Sequence, residues 1–215
     1  MTLREIEKSP LIKQKANALY RSALLFANPL IRNRATLGGN LCDASPASDT
    51  ATPLMALGAE VQLSSKHGSR WVPLDEFFVH VRKTVRKPDE LLTAVRWPLT
   101  PARSADTFYK LGLRKADAIS VVSMGMFITL DTENKFSVVR IALGSVAPTP
   151  IRAYEAEKYL IGKSADEDVY TEAGNLAVQA CKPISDVRAT AEYRKEMAAV
   201  LVKRLLRESV KQIGA

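Results

Sequence analysis

The most informative part of the sequence is residues 31–49, which read IRNRATLGGNLCDASPASD. Two adjacent glycines, Gly38 and Gly39, allow backbone N–H groups to come close to a bound anion. Thr36 and Asn40 lie on either side of the pair and can form hydrogen bonds through their side chains. The segment can therefore surround a small polar ligand with backbone and side-chain hydrogen-bonding groups.

A helix start is predicted just after the glycines, because Ser45-Pro46 has the pattern of an N-cap followed by proline. Helix N-termini favour phosphate, and Asp49 in or just after the first turn can accept hydrogen bonds from ribose hydroxyls. The pattern is thus compatible with a cradle for a diphosphate. From the spacing alone, a tight turn followed by a capped helix that binds nothing is the favoured interpretation, since a glycine pair is neither a P-loop nor a GxGxxG motif.

Elsewhere the first half of the sequence shows a mixture of helical and strand patterns. Ser9-Pro10 is a second cap-plus-proline signal, which predicts a helix over residues 11–27 that ends near Asn28-Pro29. The helix starting at Ser45-Pro46 is expected to reach residues 57–58. Strands are predicted at 60–63, 71–72 and 91–97, and a proline-containing linker follows at 98–106.

Beyond the linker, strands come first and helices follow, which favours an α+β arrangement. We predict a domain boundary between residues 102 and 103, giving domains 1–102 and 103–215. The predicted elements are strands at 107–113, 119–130 and 136–146, with a hairpin turn at 131–134, and helices at 153–160, 166–181 and 191–212.

Residues 31–49 closely resemble the flavin-binding signature of the medium subunits of molybdenum hydroxylases of the xanthine and carbon monoxide dehydrogenase type. The resemblance continues at Asp89-Glu90-Leu91-Leu92 before Pro98, at residues 108–119, and at two segments of the second half, 142–153 and 183–194. It implies the C-terminal part of a two-lobed FAD-binding domain of the vanillyl-alcohol-oxidase-like (PCMH) type. A three-stranded antiparallel sheet packed with a helical bundle would follow.

The same resemblance implies which residues bind FAD. The FAD pyrophosphate would lie on the glycine loop, and the ribitol or ribose would lie near Ser48 and Asp49. Leu91 or Leu92 would lie beside the isoalloxazine ring, and Lys110 would lie near its N1–C2 edge, where a cation stabilises an anionic reduced flavin. The members of the expected pyrophosphate loop are Thr36, Leu37, Gly38, Gly39 and Asn40.

Members of this family also carry an A-G-G-S/T loop on an N-terminal lobe, which is absent from this sequence. Three accounts fit: the lobe is a separate polypeptide, the chain is a fragment of a longer product, or the subunit has lost its flavin. The resemblance implies a subunit, inactive on its own, that passes electrons from iron–sulfur clusters through FAD to an external acceptor. A flavin-free structural subunit of the same complex is the alternative.

Partners and location follow from the same expectations. Molybdopterin would belong to a large subunit and the iron–sulfur clusters to a small subunit, while a separate chain could supply the missing lobe. The net charge of +8 is spread along the chain and no groove-reading motif is present, which argues against nucleic-acid binding. Two unclustered cysteines and two histidines favour no metal site, and no catalytic acid or base is expected. Without a signal peptide or membrane-spanning segment, we expect a cytoplasmic protein.

Overall fold

The computed structural model describes residues 1–214, in which helices and antiparallel sheets form separate layers. In chain order, the elements of the first half are α1 (Leu3–Lys8), α2 (Pro10–Lys15), α3 (Asn17–Leu25), α4 (Pro29–Arg32), α5 (Leu37–Asp43), α6 (Ala51–Ala56), β1 (Glu60–Ser65), β2 (Gly68–Pro73), α7 (Leu74–Phe77), β3 (Phe78–His80), β4 (Lys83–Thr84) and β5 (Leu91–Arg96). Those of the second half are β6 (Ser104–Gly112), β7 (Ser120–Leu130), β8 (Phe136–Gly144), β9 (Ile151–Arg152), α8 (Tyr154–Leu160), α9 (Glu167–Gln179) and α10 (Ala191–Ile213).

The first half is built on a three-stranded antiparallel sheet in the order β2-β1-β5. Val61 and Leu63 alternate with polar residues along β1 and are fully buried among the helices, as expected for a strand with one covered face. On β5, Leu92 pairs with Leu63 and belongs to the same apolar cluster. This sheet supports the segment that contains the glycine pair, because α5 packs against β5.

The second half is built on an antiparallel sheet in the order β6-β7-β8-β9, covered by α8, α9 and α10. Its central strand β7 is buried on both faces, so its side chains divide between two cores. Met124, Met126 and Ile128 pack towards the second-half helices, whereas Phe127 packs into the core of the first half. The sheet thereby joins the two halves of the chain.

The two halves are in close backbone contact where α6 crosses β7 at Gly125. A Cβ atom at Gly125 would overlap the carbonyl oxygen of Thr52 and lie 2.7 Å from the backbone nitrogen of Pro53. Only glycine permits this backbone-to-backbone approach. The position of α6, and of the residues just before it, therefore depends on the missing side chain at 125.

The α+β fold predicted from the sequence is confirmed, and the three predicted strands of the second half are present as β6, β7 and β8. The sheet also contains β9, which was not predicted because it has only two residues. The predicted boundary between residues 102 and 103 stays a prediction.

The prediction of one continuous helix over residues 11–27 was wrong. The chain breaks at the fully buried Ala16, whose φ of −153° and ψ of 61° are not helical, and the segment forms α2 and α3 instead. The backbone N–H of Ala18 donates to Asp106 Oδ2 at 2.7 Å, so a carboxylate of β6 provides the acceptor that the start of α3 lacks locally. Pro29 begins the short helix α4 rather than ending a helix, because Asn28 caps it through Ile31.

A buried arginine ties α10 to the sheet of the second half. Arg194 is 2% exposed, and its guanidinium donates to the carbonyl oxygens of Val121 (2.6 Å) and Ser145 (3.0 Å). It also donates to Asp186, which accepts from Arg188 as well. The hydrogen bonds from Arg188 and the charge of Arg194 hold the pKa of Asp186 well below its usual range. The network fixes the segment between α9 and α10.

Replacing Arg194 with methionine should lower the free energy of unfolding by about 3 kcal/mol, because two buried carbonyl groups lose their donor. Urea unfolding of the chain measures the change. Arg207→Met, in the same helix, is the matched control: Arg207 makes an exposed ion pair with Glu167, and its loss should have a much smaller effect. Equal effects of the two substitutions would contradict a structural role for the Arg194 network.

Candidate functional site

The glycine pair lies in the first turn of α5, not in a loop before a helix. Thr36 is the N-cap, and its hydroxyl oxygen accepts from the N–H of Gly39 at 3.0 Å. The N–H of Leu37 donates to the carbonyl oxygen of Met1 at 3.1 Å. The N–H of Gly38 has no acceptor among residues 1–214, so it is available to a ligand.

Packing within the chain requires glycine at position 39 but not at position 38. A Cβ atom at Gly39 would lie 2.9 Å from Thr36 Oγ1, so glycine is needed there to accommodate the cap itself. A Cβ atom at Gly38 would make only an ordinary contact, 3.5 Å from Leu92 Cδ2, and the φ of Gly38 is not left-handed. Packing within the chain therefore does not require glycine at 38. Close approach of a ligand to the backbone would require it.

The predicted helix start at Ser45-Pro46 was wrong. Helix α5 ends at Ala44, which has a left-handed φ of 49°, and the next helix, α6, begins only at Ala51. The reason is Asn40, whose Oδ1 accepts from the hydroxyls of Ser48 at 2.7 Å and Thr50 at 2.6 Å. These bonds draw the segment back over α5 instead of letting it continue as a helix.

Asp49 and Lys110 form a buried ion pair between this segment and β6. Lys110 Nζ donates to Asp49 Oδ2 at 2.6 Å and to the carbonyl oxygen of Leu25 at 3.2 Å, and the Asp49 and Lys110 side chains are 9% and 6% exposed. Burial raises the pKa of Asp49, and the charge of Lys110 partly offsets this rise. The other carboxylate oxygen, Oδ1, is buried and has no hydrogen-bond partner among the described residues.

Seven of the ten predicted site residues line two separate cavities, whereas Gly39, Leu91 and Lys110 line neither of them. A groove of about 460 Å³ runs over Thr36, Leu37 and Gly38 to Leu92. A smaller pocket of about 230 Å³ is lined by three more predicted residues, one from the expected pyrophosphate loop and two expected near the ribose or ribitol, and Lys110 donates to one of them. These three are Asn40, Ser48 and Asp49.

Of the two leucines predicted beside the flavin, Leu92 faces the glycine pair. Leu91 is 71% exposed and, as the next residue along β5, points to the opposite face of the sheet. Lys110 reaches the site only through its bond to Asp49, with two of its three donors already used. The contacts of Leu91 and Lys110 with a flavin remain predictions.

Two residues that the sequence interpretation missed also belong to the site. Thr50 shares Asn40 Oδ1 with Ser48, and the aromatic side chain of Trp97 lines the groove beside Leu92. The sequence offered two signals for these residues. One is a hydroxyl-bearing residue directly after Ser48-Asp49, and the other is an aromatic residue at the end of the strand that carries Leu92. Their significance depends on contacts with residues distant in sequence.

Residues 1–214 contain no cluster of three or more histidine, cysteine, aspartate or glutamate side chains placed to hold a metal ion. Within the same residues, no helix combines the length and apolar character needed to cross a membrane.

Comparisons with known proteins identify relatives of both halves of the chain. Residues 1–100 match the family model of the FAD-binding domain in molybdopterin dehydrogenase, and residues 107–209 match that of the CO dehydrogenase flavoprotein C-terminal domain. The chain is 31% identical to a putative xanthine dehydrogenase FAD-binding subunit of Escherichia coli over 99% of its own length and 73% of the relative's. It is 33% identical to the carbon monoxide dehydrogenase medium chain of Afipia carboxidovorans over 91% of its length and 67% of the relative's.

The fold shows the same relationship. A crystal structure of the Cu,Mo-CO dehydrogenase in its cyanide-inactivated form superposes with a TM-score of 0.90 at 32% identity, covering 95% of this chain and 71% of the other. Quinoline 2-oxidoreductase from Pseudomonas putida superposes with a TM-score of 0.89 at 25% identity. The chain therefore belongs to the oxidoreductase family of FAD-binding medium subunits of xanthine and carbon monoxide dehydrogenase type.

Proposed function

We propose that this chain holds FAD against the first turn of α5 and acts as the electron-transfer subunit of a molybdenum hydroxylase complex. The observation that carries the proposal is Gly38, whose N–H has no acceptor within residues 1–214 and whose missing side chain is not required by packing. An oxygen of the FAD diphosphate fits this position, because an unpaired backbone N–H without a Cβ atom can approach an anion closely. When bound, FAD supplies the redox chemistry, taking up electrons one at a time and passing on two together.

The pocket that contains Asp49 fits the hydroxyl groups of the cofactor. Asp49 Oδ1 is a buried acceptor without a partner among the described residues, and such an atom costs free energy until a donor reaches it. A ribose or ribitol hydroxyl supplies that donor. Lys110 donates to Asp49, and its charge partly offsets the rise in the pKa of Asp49 that burial causes, so the role of this lysine is to position the carboxylate and to favour its charged form.

Both cavities are open to solvent, so the described residues cover a bound FAD only in part. Ligands as large as FAD are normally buried between converging walls. We therefore propose that a further polypeptide segment, on this or another chain, forms the second wall, and that this chain alone binds FAD weakly and has no activity of its own. The expected partners are a large molybdenum subunit and a small iron–sulfur subunit, in the cytoplasm.

Gly38→Ala should lower the affinity of the assembled complex for FAD at least tenfold, about 1.4 kcal/mol, because the added methyl group stands where the diphosphate approaches. The free energy of unfolding of the chain should stay the same or rise by no more than about 1 kcal/mol, since alanine favours a helix. Flavin absorbance of the purified complex and urea unfolding measure the two effects.

Gly39→Ala is the comparison, because its methyl group would disturb the Thr36 cap and should reduce stability together with FAD content. A complex that keeps a full complement of flavin in Gly38→Ala would exclude the proposed diphosphate site. Wild-type complex without flavin absorbance would instead support the flavin-free structural subunit.

Substitutions in the Asp49–Lys110 pair distinguish an effect on the stability of the chain from an effect on FAD binding. Lys110→Met alone should destabilise the chain by about 3 kcal/mol, because it leaves a buried carboxylate without its counter-ion. Combining it with Asp49→Asn should recover most of this stability. FAD affinity should not recover, since the charged acceptor is lost, and the expected reduction is about tenfold or more.

The stability arm is measured by urea unfolding of the chain, and the binding arm by flavin titration of the complex. Recovery of FAD affinity in the double variant would show that Asp49 serves only the fold.

A further inference from the structure

A third cavity lies outside the proposed flavin site, between the segment after α5 and the segment between α9 and α10. It has a volume of about 490 Å³ and a predominantly apolar lining. We name it the C-terminal pocket and define it by residues that line its walls: Pro46, Val81, Ile119, Pro148, Lys182 and Ile184. Of these six residues, only Ile119 also lines the pocket that contains Asp49.

Apolar side chains project from the mouth of the C-terminal pocket. Ile119 is 63% exposed and Ile184 is 71% exposed, and Val187, three residues after Ile184 in the chain, is completely exposed. Large apolar side chains clustered around a concavity are typical of surfaces that bind another protein, because leaving them in water costs free energy. The pocket is therefore a candidate interaction surface.

The charges around the C-terminal pocket are predominantly positive. It is lined by three cations, Lys182, Arg188 and Arg194, and by a single carboxylate, Asp186, which both arginines already engage. Lys182 makes no ion pair within the part of the chain that is described. A partner with carboxylates next to apolar side chains would complement this surface.

The same charges disfavour a second copy of this chain as the occupant. The chain carries a net charge of +8, so two copies would repel each other and would bring cations against cations at this surface. A flat anionic membrane surface fits less well, since the charge surrounds a concave pocket instead of standing on a convex face.

The C-terminal pocket is also adjacent to the proposed flavin site. Ser45, Ala47 and Ile119 line both this pocket and the pocket that contains Asp49. A protein bound in the C-terminal pocket would therefore lie next to the cofactor, where a partner that exchanges electrons with it has to be.

We propose that the C-terminal pocket binds a segment of a neighbouring subunit of the complex, in which carboxylates lie beside apolar side chains. The inference rests on the proposed function in one respect, that this chain works within a multi-subunit complex. The apolar part of the segment fills the pocket beside Ile119 and Ile184, and a carboxylate pairs with Lys182.

The test uses the full chain co-expressed and co-purified with the molybdenum and iron–sulfur subunits. Ile184→Asp and Lys182→Glu should each weaken the association of this chain with its partners about tenfold or more, as measured by sedimentation velocity. Added salt should weaken the wild-type association and have less effect on Lys182→Glu. The matched controls are Leu99→Asp and Lys66→Glu, which make the same changes at exposed positions away from the pocket and should leave the association unchanged.

Association of both pocket variants at wild-type affinity would overturn the proposal. The proposal would also be overturned if the pocket variants abolished self-association of this chain while the subunits stayed together. The same conclusion would follow if they abolished binding to vesicles of phosphatidylglycerol and phosphatidylcholine while the subunits stayed together. Flavin absorbance is recorded on the same samples. If the pocket variants lose their partners but the wild-type complex contains no flavin, the docking surface is supported and the proposed function is contradicted. If the wild-type complex contains flavin but the pocket variants keep their partners, the proposed function is supported and the docking surface is contradicted.

Discussion

The position of the whole site depends on the contact between α6 and Gly125 of β7. Because residue 125 has no side chain, the backbone of Thr52 lies directly on the central strand of the second-half sheet. Any larger residue would push α6 away, together with the segment that precedes it. Phe127, two residues further along β7, packs into the core of the first half and holds the same contact from the side.

Three polar side-chain contacts connect α6 and the residues before it to the glycine pair. Asp49, just before α6, is held to β6 by Lys110, and Thr50 and Ser48 hold Asn40 of α5. Asn40 directly follows the glycines, so these bonds fix the first turn of α5, in which the N–H of Gly38 has no acceptor among residues 1–214. A buried ion pair costs desolvation free energy and adds little stability by itself. Its role here is to fix the relative position of two segments, distant in sequence, that carry residues of the proposed FAD site.

Elements that are determined by a local residue pattern could be predicted from the sequence. Features that are determined by contacts between residues distant in sequence could not. The apolar run of β7 and the turn after it identified the hairpin with β8, and the apolar spacing of α10 identified that helix. The start of α5 was missed, because two consecutive glycines disfavour a helix and the Thr36 cap outweighs them. The break at Ala16 was missed because its cause is a carboxylate on another strand. The family resemblance singled out the glycine pair, whose contact with FAD stays a prediction. The ion pair of Lys110 with Asp49 joins residues 61 positions apart and has no local signature.

The central claim is that the backbone at Gly38 contacts the diphosphate of FAD. A cryo-electron microscopy map of the assembled, flavin-containing complex tests it most directly, at a resolution that shows the cofactor phosphates. The account predicts a phosphate oxygen about 3 Å from the Gly38 nitrogen, with a sugar hydroxyl within hydrogen-bond distance of Asp49 Oδ1. A map in which another side chain covers the first turn of α5, or in which the cofactor lies beyond contact with it, would contradict the account.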